Sequence, residues 1–269
     1  MIFEKSYFDM GRLDRLSYHD TFVHRLDPRV KVIVTILFLL TVISFPKYEV
    51  VSLIPFFLFP VMLATIGEIP IRFILGKLIL VSPFAIMIGI FNPILDTKII
   101  SIIYGIPISA GLMSFISILL KFALTVSAAL LLIATTSFPG VCHALRKMGF
   151  PAIFVTQLLF LYRYIFVLMG EAMRMIRAID MRSFGTRSME VKVFSRLIGT
   201  LLFRTIDRAE RVYCAILSRG FEGDIPTVKK NQFNAVDIEY LLLTIIFLGI
   251  FRFFRVSESI GIITQELLR

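Results

Sequence analysis

The sequence predicts an all-α integral membrane protein, with about five transmembrane helices and a cytoplasmic domain of long amphipathic helices. Three observations carry that expectation. Of 269 residues, 57% are hydrophobic and 18% charged, with a mean hydropathy of +0.86, whereas a soluble domain carries about 25% charged residues. The apolar residues fall in separate runs long enough to reach across a bilayer. The net charge of +10 sits mostly in one late block, as cytoplasmic segments of membrane proteins do. This composition excludes a disordered chain, whose hydrophobicity is low. Cys142 and Cys214 are the only cysteines and lie far apart, which excludes a disulfide scaffold. Some thirty mostly polar residues precede the first apolar run, so no cleaved secretory leader is expected.

The first span is expected over Val30–Phe45, between Pro28 and Pro46. It is short for a bilayer and needs flanking residues or local thinning. The second covers Val50–Ile66 and contains Pro55 and Pro60, tolerable where neighbours satisfy the freed carbonyls. The third covers Phe73–Phe91, with Pro83 inside, and the fourth Ala110–Thr136. The last covers Val236–Phe254. Domains follow as residues 1–136, 137–235 and 236–269.

Orientation comes from the basic residues. Lys5, Arg12, Arg15, Arg25, Arg29 and Lys31 put the N-terminus in the cytoplasm. Arg72, Lys77, Arg146 and Lys147 are then inside, and Asn92–Ser109 outside. Ala152–Met169 has spanning length but carries Arg163 at its centre, at an insertion cost of about 2.5–3.5 kcal/mol. Twelve Lys or Arg lie between Met169 and Val236. Keeping them inside means that Ala152–Met169 does not cross. The C-terminus then lies outside, in a bacterial or archaeal cell membrane. Arg252 and Arg255 count against this five-span reading, and six spans remain the alternative.

The insert reads as two long helices. The first begins after Gly149-Phe150-Pro151 and ends near Ser183-Phe184-Gly185. The second begins around Ser188 and ends at Ser218-Arg219-Gly220. Ile206, Ala209, Val212 and Ile216 recur at helical spacing, with Arg204, Asp207, Arg208 and Arg211 on the other face. Each helix finishes on arginine, 37 residues apart. Arginine suits a helix C-terminus through the dipole alone. It also suits bidentate capture of a partner's carboxylate.

His24-Arg25-Leu26-Asp27-Pro28-Arg29-Val30-Lys31 resembles the N-terminal signature of the transmembrane (T) components of energy-coupling factor transporters. The two arginine endings resemble that family's paired Ala-Arg-Gly motifs. Ser44-Phe45-Pro46 and Gly89-Ile90-Phe91-Asn92-Pro93 give the finer likeness to the cobalt-type CbiQ branch. The first motif reads Asp180-Met181-Arg182-Ser183 and lacks both small residues, and the second has Ser218 for Ala. The resemblance implies an ATPase-coupling site at Arg182, Ser183, Ser218, Arg219 and Gly220. It implies two ABC-type ATPase subunits as partners, each taking one arginine into an acidic groove. A small substrate-binding S component, CbiM-like for cobalt, is the other partner. The chain itself is then no enzyme and holds no cofactor, ATP and Mg²⁺ belonging to the ATPases.

Other groups are weighed beside this. Arg163, Arg174, Arg177, Arg208 and Arg211 are candidates for partner or packing contacts. His19, Asp20, His24 and Asp27 hold metal-ligand atoms, but Asp27-Pro28 reads as a helix entry and no metal is expected. Lys121, within the fourth run, reads as snorkelling or interfacial. A stand-alone carrier or channel is the rival reading, and it needs polar groups inside the spans, which are few. A membrane enzyme would need paired carboxylates or histidines at depth, and none are seen. Nucleic-acid binding by the insert is not expected. Its bases alternate with Asp180, Glu190, Asp207 and Glu210, as in ion-paired helices.

Overall fold

The structure, a computed structural model, describes residues 16–17, 19–96, 99–103, 106–182, 191–221, 223 and 233–253. Its helices fall into two units, one holding the segment from Phe138 to Lys230 and the other the segments from Arg15 to Ser137 and from Asn231 onward.

The membrane unit opens with one helical turn, α1 (Phe22–Arg25). Helix α2 (Pro28–Ile43) starts where the sequence places it. Pro28 supplies a fixed φ at a position whose N–H would have no partner, and the Asp27 side chain accepts the Arg29 N–H. At 16 residues it is about 24 Å long, shorter than a bilayer core of about 30 Å.

The expected second helix is split. Val51–Phe57 is a 3₁₀ segment, and the α-helix α3 covers only Leu58–Ile66. Pro55 is the reason: it lacks an N–H and its ring clashes with a carbonyl four residues back. Pro60 falls in the first turn of α3, where no donor is lost.

Helix α4 (Ile71–Gly89) is followed by a short turn of helix, α5 (Asn92–Leu95). Strands β1 (Ile99–Ile103) and β2 (Ile106–Ser109) then form an antiparallel hairpin with Ile103 opposite Ile106. The sequence reading places Asn92–Ser109 outside and assigns it no element. Ser109 caps the 27-residue helix α6 (Ala110–Thr136) by accepting the Leu112 N–H. Gly111 lets α6 start directly against α5: a Cβ there would lie 2.3 Å from the Asn92 carbonyl oxygen. Helix α10 (Ala235–Phe253) completes the unit.

The core of this unit is aromatic and aliphatic: Phe38 stacks on Phe59 at 4.4 Å, and Phe56 meets Phe45 edge-on at 5.2 Å. Val30, Val34, Leu53, Leu124, Ala128 and Leu248 close around them, so α2, the 3₁₀ segment, α3, α6 and α10 share one core. The outside is apolar as well. Leu80 and Phe84 of α4 are 71% and 68% exposed, which water would penalise and lipid does not.

Among the described residues the second unit contains three helices. Helix α7 (Phe138–Lys147) is amphipathic and had no counterpart in the sequence reading. Helix α8 (Ala152–Arg182) begins after Gly149, whose φ is +98°. Helix α9 (Val191–Leu217) is the second long helix. Ser183 and the expected cap at Gly185 lie outside the described residues.

Among the described helices, Ile71–Gly89, Ala110–Thr136 and Ala152–Arg182 are long and apolar enough to cross a membrane. Composition therefore admits α8 as a span, although its contacts group it with α7 and α9. Helix α2 is too short for that criterion, and α10 carries Asp237, Glu239 and Arg252.

Candidate functional site

Helices α8 and α9 pack antiparallel. Gln157 and Phe160 near the start of α8 face Val212, Tyr213 and Ile216 near the end of α9. Further on, Leu168 and Glu171 face Arg204 and Thr205. Between them runs an open, mostly apolar groove of about 430 Å³, with Tyr164, Ala209 and Arg208 also on its wall. At its starting end the Thr156 hydroxyl donates to the Gly223 carbonyl at 3.1 Å, tying the chain beyond α9 to the first turns of α8.

The ion pairs lock the other part of the crossing. Glu171 bridges Arg174 of its own helix and Arg204 of α9, the latter at 2.6 Å. Both guanidinium groups, Arg174 first, hold the Glu171 carboxyl below the usual carboxylate range. Glu171 was missed from the sequence because its α9 partner is 33 residues away. Its i,i+3 spacing to Arg174 was the visible half of the signal.

The two motif arginines end their helices. Arg182 is the last residue of α8 and is exposed. Arg219 is exposed at the end of α9. There the Phe221 N–H bonds the Ile216 carbonyl and the Gly220 N–H bonds the Leu217 carbonyl. This Schellman geometry needs a left-handed residue, and Gly220 has φ +74°. Ser218 spends its hydroxyl on the Cys214 carbonyl at 2.8 Å, a helix contact. Neither Arg182 nor Arg219 has an acidic partner among the described residues.

The antiparallel packing places the arginines at opposite ends of the pair. Arg219 lies near the Thr156 end, whereas Arg182 is 26 residues further along α8, about 39 Å of helix. Of the other candidates, Arg208 and Arg211 line the cavity beside Glu171. Arg174 is spent on Glu171, Arg177 has its own interaction, and Arg163 is exposed on α8.

Three of the four residues weighed as metal ligands, Asp20, His24 and Asp27, have other partners. Asp20 forms a bidentate pair with Arg25 at 2.8 and 2.9 Å. His24 Nε2 donates to the Leu16 carbonyl at 3.0 Å, and Nδ1 pairs with the Thr21 hydroxyl at 2.7 Å, accepting from it in the neutral ring. Burial, with Lys31 second, lowers the His24 pKa below its usual value. Asp27 caps α2. No cluster of three or more His, Cys, Asp or Glu is found among the described residues.

Lys121, read as snorkelling or interfacial, has a defined partner. Its Nζ donates to the Phe45 carbonyl at 2.5 Å, at the end of α2. Arg252 donates to the Ser44 carbonyl and hydroxyl at 3.3 and 3.1 Å and lies over the Phe45 ring. Both cations meet carbonyls that a short helix leaves open.

Residues 19–231 match the family described as cobalt transport protein, CbiQ. The chain belongs to that family. CbiQ membership and the apolar helices make it a membrane component of cobalt transport. Among the relatives, an uncharacterized protein of Methanocaldococcus jannaschii is 31% identical, over 83% of this chain and 80% of its own length. A cobalt transport protein CbiQ of Rhodobacter capsulatus is 28% identical over 42% of this chain and 47% of its own. A Methanocorpusculum labreanum protein, provisionally named a fused cobalt transport protein CbiMQ, is 34% identical over 33% of this chain and 15% of its own length.

Proposed function

We propose that this CbiQ-family chain is the coupling subunit of an ATP-driven energy-coupling factor importer for cobalt. Two ATPase subunits dock on the second unit, one on Arg182 and one on Arg219. Their closure moves α8 and α9, and the motion passes to a CbiM-like, substrate-binding S component. The chain binds neither ATP nor cargo in this reading.

One observation carries it. Two exposed arginines, without acidic partners among the described residues, end two packed helices about 39 Å apart along α8. A stabilising C-terminal charge needs no partner surface, but that reading leaves the family likeness of both endings unused. The groove between the same helices offers apolar area for a membrane partner, and the fused CbiMQ relative supports a CbiM-type one. Discrete shifts of packed helices are a known way to carry such motion.

The test is cobalt uptake by vesicles holding the whole assembly. Arg182→Glu with Arg219→Glu stops ATP-dependent uptake while the chain stays in the membrane. Undiminished uptake by that double variant contradicts the coupling role.

A further inference from the structure

Among the described residues, the buried charges of the membrane unit gather at one junction. Asp27, Lys31 and Asp237 are 2%, 4% and 3% exposed. Asp237 stands in the first turn of α10, and its Oδ2 accepts the Asn234 N–H at 2.9 Å. That is the reciprocal cap an acidic residue makes at a helix start. Its Oδ1 does something a local cap does not require. It accepts the backbone N–H of Asp27 at 2.8 Å, across 210 residues of sequence.

Asp27 is itself the N-cap of α2. The beginnings of the first and last spans, each the positive end of a helix dipole, therefore meet on one carboxylate. Lys31 adds the fourth span: its Nζ donates to the Thr135 carbonyl, in the last turn of α6, at 3.0 Å. A second bond from Nζ reaches the His24 carbonyl at 3.4 Å.

We propose that Asp237 is a positioning residue for transport, fixing the start of the last span on the start of the first so that displacement of α9 is delivered to α2. This rests on the coupling role proposed above. Ala235 follows Gly220 by only fifteen residues in sequence, so α9 and α10 are joined by a short covalent connection. A helix start held by one local cap would fray or slide under such a pull. Buried bonds to two helix starts resist, because separating them strands polar groups away from water.

The experiment uses the full chain with its two ATPase subunits and S component in proteoliposomes, and reads cobalt taken up per ATP hydrolysed. In Asp237→Ala, hydrolysis stays within about twofold and uptake per ATP falls about tenfold. Asp237→Asn keeps an acceptor for the Asp27 N–H and falls less, about threefold. An unchanged ratio in Asp237→Ala overturns the proposal, and so does a proportional fall of uptake and hydrolysis, which marks a merely structural role. If Asp237→Ala does not reach the membrane, Asp237→Asn decides, and an unchanged ratio there overturns it. Failure of the wild-type chain to bind ATPases would instead refute the coupling role, a separately visible result.

Discussion

Glu171 of α8 and Arg204 of α9 meet at 2.6 Å, and with Arg174 they form the ionic clasp of the two long helices. The Glu171 carboxyl has a folded pKa below its unfolded one. Its stabilising contribution is therefore complete above the unfolded carboxylate pKa and is lost as pH falls through the folded value. The groups are exposed enough for salt to screen them. The expected outcome is a small acid-side loss of thermal stability in the detergent-solubilised wild type. Glu171→Gln lacks that pH-dependent part, and high salt narrows the difference between the two. Parallel melting profiles across the acid range would remove the clasp.

Lys121→Met leaves the Phe45 carbonyl without its donor at the end of a helix shorter than the bilayer core. Stranding such a group costs about 1–3 kcal/mol, read as a lower melting temperature of the purified chain. Lys121→Arg restores most of it. Arg252→Ala acts at the adjacent Ser44 carbonyl, so the two losses are not additive in the double variant.

Gly220→Ala tests the end of α9. Open space surrounds the position, so only the backbone conformation at φ +74° opposes a side chain. The cost is about 1 kcal/mol. Gly220→Asn costs less. ATPase affinity falls with the first variant through Arg219, which the left-handed turn holds at the helix end. Equal melting temperatures and equal affinities for Gly220→Ala and wild type would contradict this.

Five spans place Glu190 and Glu258 on opposite sides of the membrane. Single cysteines at these positions in a cysteine-free chain should react with an impermeant thiol reagent from opposite sides. Reaction from the same side supports six spans and turns α8 into one of them.

Local signals were the ones the sequence made legible. Asp27-Pro28 announced the start of α2, Gly149-Phe150-Pro151 the start of α8, and Gly220 the end of α9, because each device acts within a few residues. Pro55 was visible too, but not that it would turn the first half of a span into 3₁₀ helix. What was lost is what depends on distant partners. Lys121 read as snorkelling or interfacial, and Arg252 as an objection to the topology, since neither pattern reveals the end of α2 between them. Asp237 was not singled out, because the Asp27 N–H that it accepts lies 210 residues away in sequence. Helix α7 was hidden by its brevity and by Pro139 and Gly140 near its start.

The most direct test of the account is the ATPase stoichiometry of the purified assembly, measured by native mass spectrometry. The opposite placement of Arg182 and Arg219 predicts two ATPase subunits on the wild type. It predicts one on Arg182→Glu, one on Arg219→Glu and none on the double variant. Two ATPases retained by the double variant would contradict the account.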